Sequence, residues 1–449
     1  MTDFQTNIAL EPELVPSLAL DRALLRAIFD KAVEAADPML VIPRTLPPRP
    51  LGRVVVIGAG KASARMAEAV TSVWGGCEGL ILTRDGYARP APGIRVIEAA
   101  HPVPDLRGQA GTEALFDLLK TCEPGDFVLA LISGGGSALL TKPAGRISLS
   151  QEQQMTRAML ASGAPINDMN IIRKHLSLAK GGALAAACSA PMLSLIISDV
   201  PGDDMAAVAC GPTVGDCSTA QEARALLELW SIPVTPEMAA VLDGPPLTCR
   251  PGADALSRVE NRIVAAPSQS LLAAAELAQA EGMSVRILGD ALEGEACDLA
   301  RHHARMALDL QAGMRLGDAP LLLLSGGECT VTHRGKGIGG PNAEYALALA
   351  VALQGRTGVA ALACDTDGVD GAADAAGAVV DALTLPRAVA LSVDPERALW
   401  NHDSHSFFAA LGDQVITGPT LTNVNDFRAI LIRPTDGYCN FPQHSLCSI

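Results

Sequence analysis

Short apolar segments that end at Gly or Ser recur along this chain, and helix-like stretches alternate with them. The strand-length segments cover residues 53–57, 79–82, 127–132, 192–197, 262–265, 285–288 and 321–324. Helical patterns such as residues 271–280 lie between them. This alternation predicts an α/β fold with a mostly parallel sheet covered by helices on both faces. Because ligands bind at the carboxyl ends of such strands, we look for chemistry in the loops that follow them.

The length of 449 residues favours two domains over one core. Five prolines between residues 231 and 251 indicate a boundary. We predict a Rossmann-like domain with a mostly parallel sheet at 1–250, a smaller C-terminal α/β domain at 251–433 and an irregular tail at 434–449, with a cleft between the domains. The strand-like segment 262–265 is compatible with either domain.

Composition narrows the range of partners. A net charge of −15 and only 3% aromatic residues argue against nucleic acid and anionic membrane surfaces as ligands. The 11 cysteines form no C-x-x-C pair, and the N-terminus lacks a secretory signal, so we expect a cytoplasmic protein with reduced thiols. The longest apolar stretch, 181–198, is split by Pro191 and predicts a buried helix and strand. A small-molecule ligand is expected, and a homodimer is compatible with the sequence.

The first loop of interest follows the segment 54–57. Gly58 and Gly60 permit a tight strand-to-helix turn, and Lys61 places an ammonium group at the mouth of that turn. Ser63 stands where a dinucleotide fingerprint has its third glycine. The turn therefore predicts an anion site, with substrate at the two glycines; the alternative is a glycine turn with a solvated lysine.

A second loop has three consecutive glycines between two serines: Ser133, Gly134, Gly135, Gly136 and Ser137. Successive backbone N–H groups at a helix start form a nest that suits a polyphosphate. No Walker A motif and no protein-kinase signature accompany it. The alternative is a flexible turn without ligand.

Basic residues are concentrated at Arg173, Lys174 and Lys180 in an otherwise acidic chain. They are candidates for binding an anionic substrate; the alternative is that they stabilise a helix C-terminus. Asp199 comes just past a strand, where a carboxylate can accept a hydroxyl proton or hold a metal.

In the C-terminal half, Glu328 lies in the turn after a strand, and a helix is predicted to begin near Asn342. We expect a β-hairpin from residues 329–332 and a glycine-rich return. Asp365 and Asp367 follow another strand and are natural ligands for Mg²⁺. Solvated turn aspartates are the alternative.

In chain order these blocks resemble the glycerate 2-kinase family, whose C-terminal region is called MOFRL. The resemblance covers residues 20–433 and rests on nine stretches: IGAGKAS, HPVPD, LISGGGSALL, IRKHLSLAKGG, ISDVPGDD, LSGGECTV, GGPNAEYALA, DTDGVDG and TGPTLTNVND. It implies two α/β domains with a cleft, a MOFRL-like second domain, ATP and Mg²⁺ as cosubstrates, and phosphorylation of D-glycerate at its 2-hydroxyl. Lys61 matches the catalytic lysine of the family.

One position departs from the family pattern. Many relatives read G-G-R-N where this chain has Pro341 before Asn342, and that arginine is thought to assist catalysis. Arg334, Lys336 or Lys180 could supply the missing charge.

From these residues and the resemblance together we expect the following division of roles. Lys61 would offset charge on the transferred group, Asp199 would orient or deprotonate the hydroxyl, and Lys180 or Arg173 would bind the carboxylate. The other candidates are nucleotide-binding residues (133–137, Glu328, Asn342) and Mg²⁺ ligands (Asp365, Asp367). Two rival functions remain: an NAD(P)H-dependent hydroxypyruvate reductase, favoured by the Gly58-x-Gly60 turn, and a non-catalytic sugar-phosphate sensor.

Overall fold

The computed structural model describes residues 14–332, 335–371 and 373–435. The chain divides into two compact units. The N-terminal unit comprises Val33–Ser270 and Pro419–Asn425; the C-terminal unit comprises the remainder. The first helix, α1 (Leu14–Ala35), contributes to both.

The N-terminal unit is built on a six-stranded sheet of order β3-β2-β1-β4-β5-β6. Every neighbouring pair is parallel, which confirms the predicted parallel sheet. Residues of β1 and β5 are buried throughout, as expected for strands covered on both faces. The strands are β1 (Val54–Ala59), β2 (Glu78–Arg84), β3 (Ile94–Ala99), β4 (Phe127–Ser133), β5 (Met192–Ile197) and β6 (Val259–Ala265).

Helices cover both faces of this sheet. They are α2 (Pro38–Thr45), α3 (Ser63–Trp74), α4 (Leu106–Lys120), α5 (Gly136–Leu139), α6 (Leu149–Ser162), α7 (Ile166–His175), α8 (Ala183–Ala186), α9 (Ala220–Leu229) and α10 (Pro236–Leu242). Side chains alternate along β1: Val54 and Val56 pack in a core with α3, whereas Val55 and Ile57 pack in a core with α4. A further core joins α6, α7, α9 and α10.

The C-terminal unit has a mixed sheet of order β13-β12-β11-β14-β9-β7, in which only β7 and β9 are parallel. After α11 (Pro267–Ala280), the elements are β7 (Ser284–Gly289), β8 (Gly294–Glu295), α12 (Ala296–Ala312), β9 (Leu321–Gly327), β10 (Cys329–Thr330), α13 (Pro341–Leu353), β11 (Val359–Asp365), β12 (Gly377–Val380), α14 (Thr384–Ala390), α15 (Pro395–Trp400), α16 (Ser404–Leu411), β13 (Gln414–Val415) and β14 (Asp426–Ile432). Helix α13 is buried almost throughout its length and forms the centre of this core.

The two units differ in extent from the predicted domains 1–250 and 251–433. Strand β6 pairs in parallel with β5 and so belongs to the N-terminal unit. At the other end of the chain, Arg22 of α1 bonds Asp413 at 2.6 Å and Asp21 accepts from Arg433 at 2.6 Å, which holds α1 in the C-terminal unit. The predicted tail 434–449 lies outside the described residues except for its first two.

The predicted hairpin after β9 is wrong. Strand β10 pairs in parallel with β8 instead. The glycine-rich return lies along the end of α15: Gly337 donates its N–H to the carbonyl of Asn401 at 2.9 Å, and Ile338 donates to Asp403 Oδ1 at 3.0 Å. The predicted helix and strand within 181–198 are α8 and β5. Among the residues described, none of the helices combines the length and apolar character needed to span a bilayer.

Candidate functional site

Strands β1 and β4 are neighbours at the point where the strand order of the N-terminal sheet reverses. Lys61 follows β1, Gly134 follows β4 and Asp199 follows the adjacent β5. In open α/β sheets, ligands bind in the crevice at such a reversal, outside the carboxyl ends of the strands. Three of the sequence candidates therefore come from adjacent strand ends.

Backbone contacts fix the two loops against each other. The Lys61 amide donates to the Gly134 carbonyl at 2.8 Å, and the Ala62 amide donates to Ser133 Oγ at 3.0 Å. A Cβ on Gly60 would lie 2.1 Å from Ser133 Oγ. Ser133 is fully buried, so these contacts give it a structural role; its predicted nucleotide contact stays a prediction.

The glycines of the first loop serve close packing. Gly58 lies within β1, where an added Cβ would be 2.3 Å from the Leu131 carbonyl oxygen. Gly60 donates its amide to the Leu82 carbonyl at 3.1 Å. At both positions a larger residue would clash with neighbouring backbone or side-chain atoms, which explains the glycines. Their predicted substrate contacts stay predictions.

Gly134 permits a close approach of Asp199. An added Cβ there would lie 1.7 Å from Asp199 Oδ2 and 2.5 Å from Asn423 Nδ2. Asn423 donates to Asp199 Oδ2 at 2.8 Å, and Asn425 donates to the Asp199 carbonyl at 2.9 Å. Two amides from the returning segment 419–425 thus hold Asp199 beside the glycine loop, one at its carboxylate and one at its backbone carbonyl.

The side chains of Lys61 and His101 lie closest to the next glycine, Gly135. Gly135 has φ of +80°, and a Cβ on it would lie 3.1 Å from Lys61 Cγ and 3.2 Å from His101 Nε2. The pKa of His101 is well below its ordinary value, first because the ring is desolvated and then because of the charges on Lys61, Arg84 and Arg173. These three cations form what we call the cationic cluster. Convergent positive charge next to a glycine nest is suited to binding an anion.

Arg173 also borders a small cavity with Ser137 and Glu152. Its guanidinium donates to Asn170 Oδ1 at 3.2 Å. Burial raises the pKa of Glu152, and the charges of Lys180 and Arg173 oppose that rise. Arg173 and Ser137 therefore share one local environment with a buried carboxyl group.

The other two basic residues of this segment are buried. Helix α7 ends at His175, and Lys180 lies beyond it with 1% exposure, donating from Nζ to the Leu140 carbonyl at 2.7 Å. Desolvation lowers the pKa of Lys180. Lys174 pairs with Asp216 at 3.1 Å. Neither is a solvated helix-terminal charge, and the contacts of Lys180 favour a structural role, while its catalytic role stays a prediction.

Asp365 and Asp367 follow β11 in the C-terminal unit. Asp365 Oδ1 accepts the Asp367 amide at 2.9 Å, and Asp367 Oδ1 accepts the Val369 amide at 2.8 Å. The residues described contain no group of three or more His, Cys, Asp or Glu side chains that could hold a metal. Mg²⁺ commonly takes only one or two carboxylates together with substrate phosphates, so the metal contacts of this pair stay a prediction.

Asn342 belongs to a buried network at the start of α13. Its Nδ2 donates to Asp426 Oδ1 at 2.6 Å, and its backbone amide donates to Asp370 Oδ1 at 3.0 Å. Glu328 is exposed. Pro341 is the first residue of α13, where its missing N–H costs nothing, but it offers no charge. Arg334 lies outside the described residues.

Three site residues were missed from the sequence: His101, Arg84 and Asn423. His101 and Asn423 lie in the stretches HPVPD and TGPTLTNVND, which were identified without an assigned role. Arg84 ends β2 and carries no motif. His101 follows β3, and its place just after a strand is the signal that could have identified it from the sequence.

Family models match both halves of this chain, and known proteins match most of its length. Residues 24–243 match the domain of unknown function DUF4147, and residues 321–426 match the MOFRL family. A protein of Agrobacterium vitis named putative hydroxypyruvate reductase is 49% identical over 92% of this chain and 94% of its own length. The D-glycerate 2-kinase of Thermotoga maritima is 37% identical over 93% of this chain and 98% of its own length.

A solved structure has the same fold. The crystal structure of glycerate kinase from Thermotoga maritima superposes with a TM-score of 0.79 at 36% identity, covering 92% of this chain and all of that chain. The parallel sheet in the N-terminal region and the separate mixed sheet in the C-terminal region thus form a known two-part architecture.

Proposed function

Since this chain belongs to the glycerate 2-kinase family with a MOFRL region, we propose that it transfers the γ-phosphoryl group of ATP to the 2-hydroxyl of D-glycerate, giving 2-phosphoglycerate and ADP. The observation that supports this most is the cationic cluster of Lys61, Arg84 and Arg173 beside the glycine nest. Both substrates are anions, and phosphoryl transfer needs alignment and charge neutralisation more than covalent chemistry.

The N-terminal unit would supply the groups that handle the reacting anions. The amides of Gly134, Gly135 and Gly136 cradle phosphate oxygens, with Ser137 beside them, and Lys61 offsets charge on the transferred phosphoryl group. Arg173 binds the glycerate carboxylate through its guanidinium. Lys180 would contribute through the Leu140 backbone that it holds.

Asp199 is the residue proposed to act on the acceptor hydroxyl. Asn423 fixes Asp199 Oδ2, which orients the carboxylate for a hydrogen bond from the hydroxyl. As the oxygen bonds to phosphorus and the bond to the β-phosphate oxygen breaks, the hydroxyl proton passes to this carboxylate and then to solvent.

In the C-terminal unit, Asp365 and Asp367 would hold Mg²⁺, and Glu328 and Asn342 remain proposed nucleotide contacts. The ion neutralises phosphate charge when bound. The Asn342 Oδ1 atom is buried and has no hydrogen-bond partner among the described residues, so it is the acceptor of that side chain still to be satisfied.

A hydroxypyruvate reductase is the second candidate, because relatives carry that name. The contacts of the first loop favour the kinase. A dinucleotide site uses its second glycine to let pyrophosphate approach the backbone. Here the space at Gly60 is filled by Ser133 Oγ, and Ser63 replaces the third glycine.

A coupled assay separates the two candidates. The proposal predicts ADP release that requires D-glycerate and is abolished by EDTA. Oxidation of NAD(P)H with hydroxypyruvate and no ADP release would replace the kinase with the reductase. Ligand binding without turnover in either assay would favour the sugar-phosphate sensor. A cytoplasmic location and a homodimer also remain proposals.

A further inference from the structure

A cavity of about 660 Å³ lies within the N-terminal unit and is separate from the glycine loops. It is open to solvent on one side and lined by α7, by residues 200–218 and by residues 251–261. This volume is within the range of about 300–1,000 Å³ that small-molecule sites occupy. Glycerate, a three-carbon acid, would leave most of the space empty.

The charged residues that line the cavity are one cation, Lys174, and two carboxylates, Asp204 and Asp216. Apolar side chains, including Ile171, Val214 and Leu256, alternate with polar ones. The only cation among the lining residues is Lys174, which is paired with Asp216 at 3.1 Å while both side chains are largely buried. An anionic carboxylate or phosphate would find no uncompensated positive charge here, whereas a neutral, partly polar group would be well accommodated.

The cavity adjoins the proposed phosphate site through three connections. Asn170 lines the cavity and accepts from Arg173 of the cationic cluster. Ala207 lines it, and two residues later Ala209 packs against Gly136, where an added Cβ would be 2.7 Å away. Val200, also in the wall, directly follows Asp199 in the chain.

We propose that this cavity binds the adenosine part of the phosphoryl donor, while the cationic cluster and the glycine nest bind its phosphates. The inference rests on the proposed kinase function. It assigns the purine and ribose to the N-terminal unit, between α7 and the segments 200–218 and 251–261. The cavity has no uncompensated positive charge whereas the cationic cluster does, which matches the two chemically different halves of ATP.

Polar groups at the rim would select the base. Asn167 lines the cavity and is exposed. An asparagine amide can donate to and accept from one edge of adenine at the same time. Asn167→Leu should therefore weaken ATP more than GTP, so that the preference of the wild-type enzyme for ATP falls.

The test measures binding by calorimetry for ATP and for inorganic tripolyphosphate, which has the phosphates but no nucleoside. In Ala206→Phe, a ring fills the cavity from its wall. We expect the affinity of this variant for ATP to fall by about tenfold or more, toward its affinity for tripolyphosphate. Its affinity for tripolyphosphate should equal that of the wild-type protein. The control is Ala161→Phe, the same enlargement on an exposed face of α6, with wild-type affinity for both ligands.

Hydrogen exchange of the wild-type protein tests the site without any substitution. Bound ADP should protect residues 200–218 and 251–261 and leave α9 unchanged. Unchanged ATP affinity in Ala206→Phe, or no protection of these segments, would overturn the adenosine site and leave the kinase function intact. A wild-type protein that binds neither ATP nor ADP would instead overturn the proposed function, and this inference with it.

Discussion

Lys61 is the residue on which the proposed chemistry depends most directly. Its backbone is fixed to Gly134 and its side chain lies over Gly135, next to His101. We predict that Lys61→Met lowers kcat by about three orders of magnitude or more, because the apolar side chain cannot neutralise charge on the transferred group. Steady-state kinetics with D-glycerate would measure the loss, and circular dichroism would establish that folding is retained.

A surface lysine provides the matched control for this experiment. Lys120 is exposed and pairs with Asp117 at 2.9 Å. Exposed pairs of this kind contribute little to stability, so Lys120→Met should retain wild-type kcat. Near-normal turnover in Lys61→Met would remove Lys61 from the mechanism.

Gly134 gives a second test at the scale of one residue. Alanine there would place its Cβ 1.7 Å from Asp199 Oδ2, a separation that forces the carboxylate or the loop to move. We predict that Gly134→Ala lowers both kcat/KM and the melting temperature. Gly125→Ala is the control, because nothing lies within 4 Å of its added Cβ. Equal activity of the two variants would show that the approach of Asp199 to the loop is not needed.

The sequence indicated some site residues and not others, for a physical reason. Lys61 and the three glycines could be identified because a charge or a nest at a strand end has a local signature. The burial of Lys180 could not be predicted from the sequence, because its partner is the backbone carbonyl of Leu140, forty residues earlier. Asn423 contacts Asp199 although the two are 224 residues apart in the chain, so no local sequence pattern could predict this contact.

At the scale of the elements, the seven apolar segments all correspond to strands, from β1 to β9. Strand β3 was missed because it is at the edge of the sheet and carries Arg95 and Glu98 in its sequence. Strand β14 was missed because Asp426 and Arg428 interrupt its apolar run. These two are buried and paired with each other, and the Arg428 guanidinium lies 5.4 Å from the centre of the Tyr345 ring.

The ion pair between Lys174 and Asp216 connects α7 to the segment 211–218. Both side chains are less than 10% exposed, so removing one leaves the other buried and charged. We predict that Asp216→Ala lowers the free energy of unfolding by about 3–5 kcal/mol. Asp298→Ala, which breaks the exposed pair with Arg301, should cost about 1 kcal/mol or less. Urea unfolding of the two variants measures both losses. Similar losses of unfolding free energy would contradict a stabilising buried ion pair between α7 and the segment 211–218.

At the scale of the whole molecule, length alone predicted two domains, but not their composition. Residues 419–425, near the end of the chain, belong to the N-terminal unit, and the start of α1 belongs to the C-terminal unit. Such exchanges depend on long-range contacts, including that of Thr422 Oγ1 with the Ala36 carbonyl at 2.8 Å. Proline spacing near residue 250 carries no information about them.

Buried neutral histidines make the stability of the molecule depend on pH. Burial, with smaller contributions from Arg428 and His302, lowers the pKa of His303 to about 4. Below a pH of about 6.5, His303 becomes protonated in the unfolded chain but stays neutral in the folded protein. The free energy of unfolding therefore falls as the pH falls toward 4. The pKa values of His101 and His175 are also lowered, chiefly by burial, and act in the same direction.

His303→Gln isolates one of these contributions, since glutamine keeps a polar group near the Tyr345 hydroxyl that His303 contacts at 2.7 Å. Between pH 7 and pH 5, the wild-type protein should lose about 2 kcal/mol more unfolding free energy than the variant. Urea unfolding at both pH values measures this difference. Parallel pH profiles for the two proteins would contradict the assignment of a neutral buried His303.

The proposed reaction transfers a phosphoryl group from ATP to the 2-hydroxyl of D-glycerate. The most direct test is ³¹P NMR of the reaction mixture containing the enzyme, D-glycerate, ATP and Mg²⁺, compared with authentic 2-phosphoglycerate and 3-phosphoglycerate. We predict that the resonance of 2-phosphoglycerate grows in step with that of ADP, and that neither signal grows with Lys61→Met. A 3-phosphoglycerate signal, or no new phosphomonoester while ATP remains intact, would contradict it.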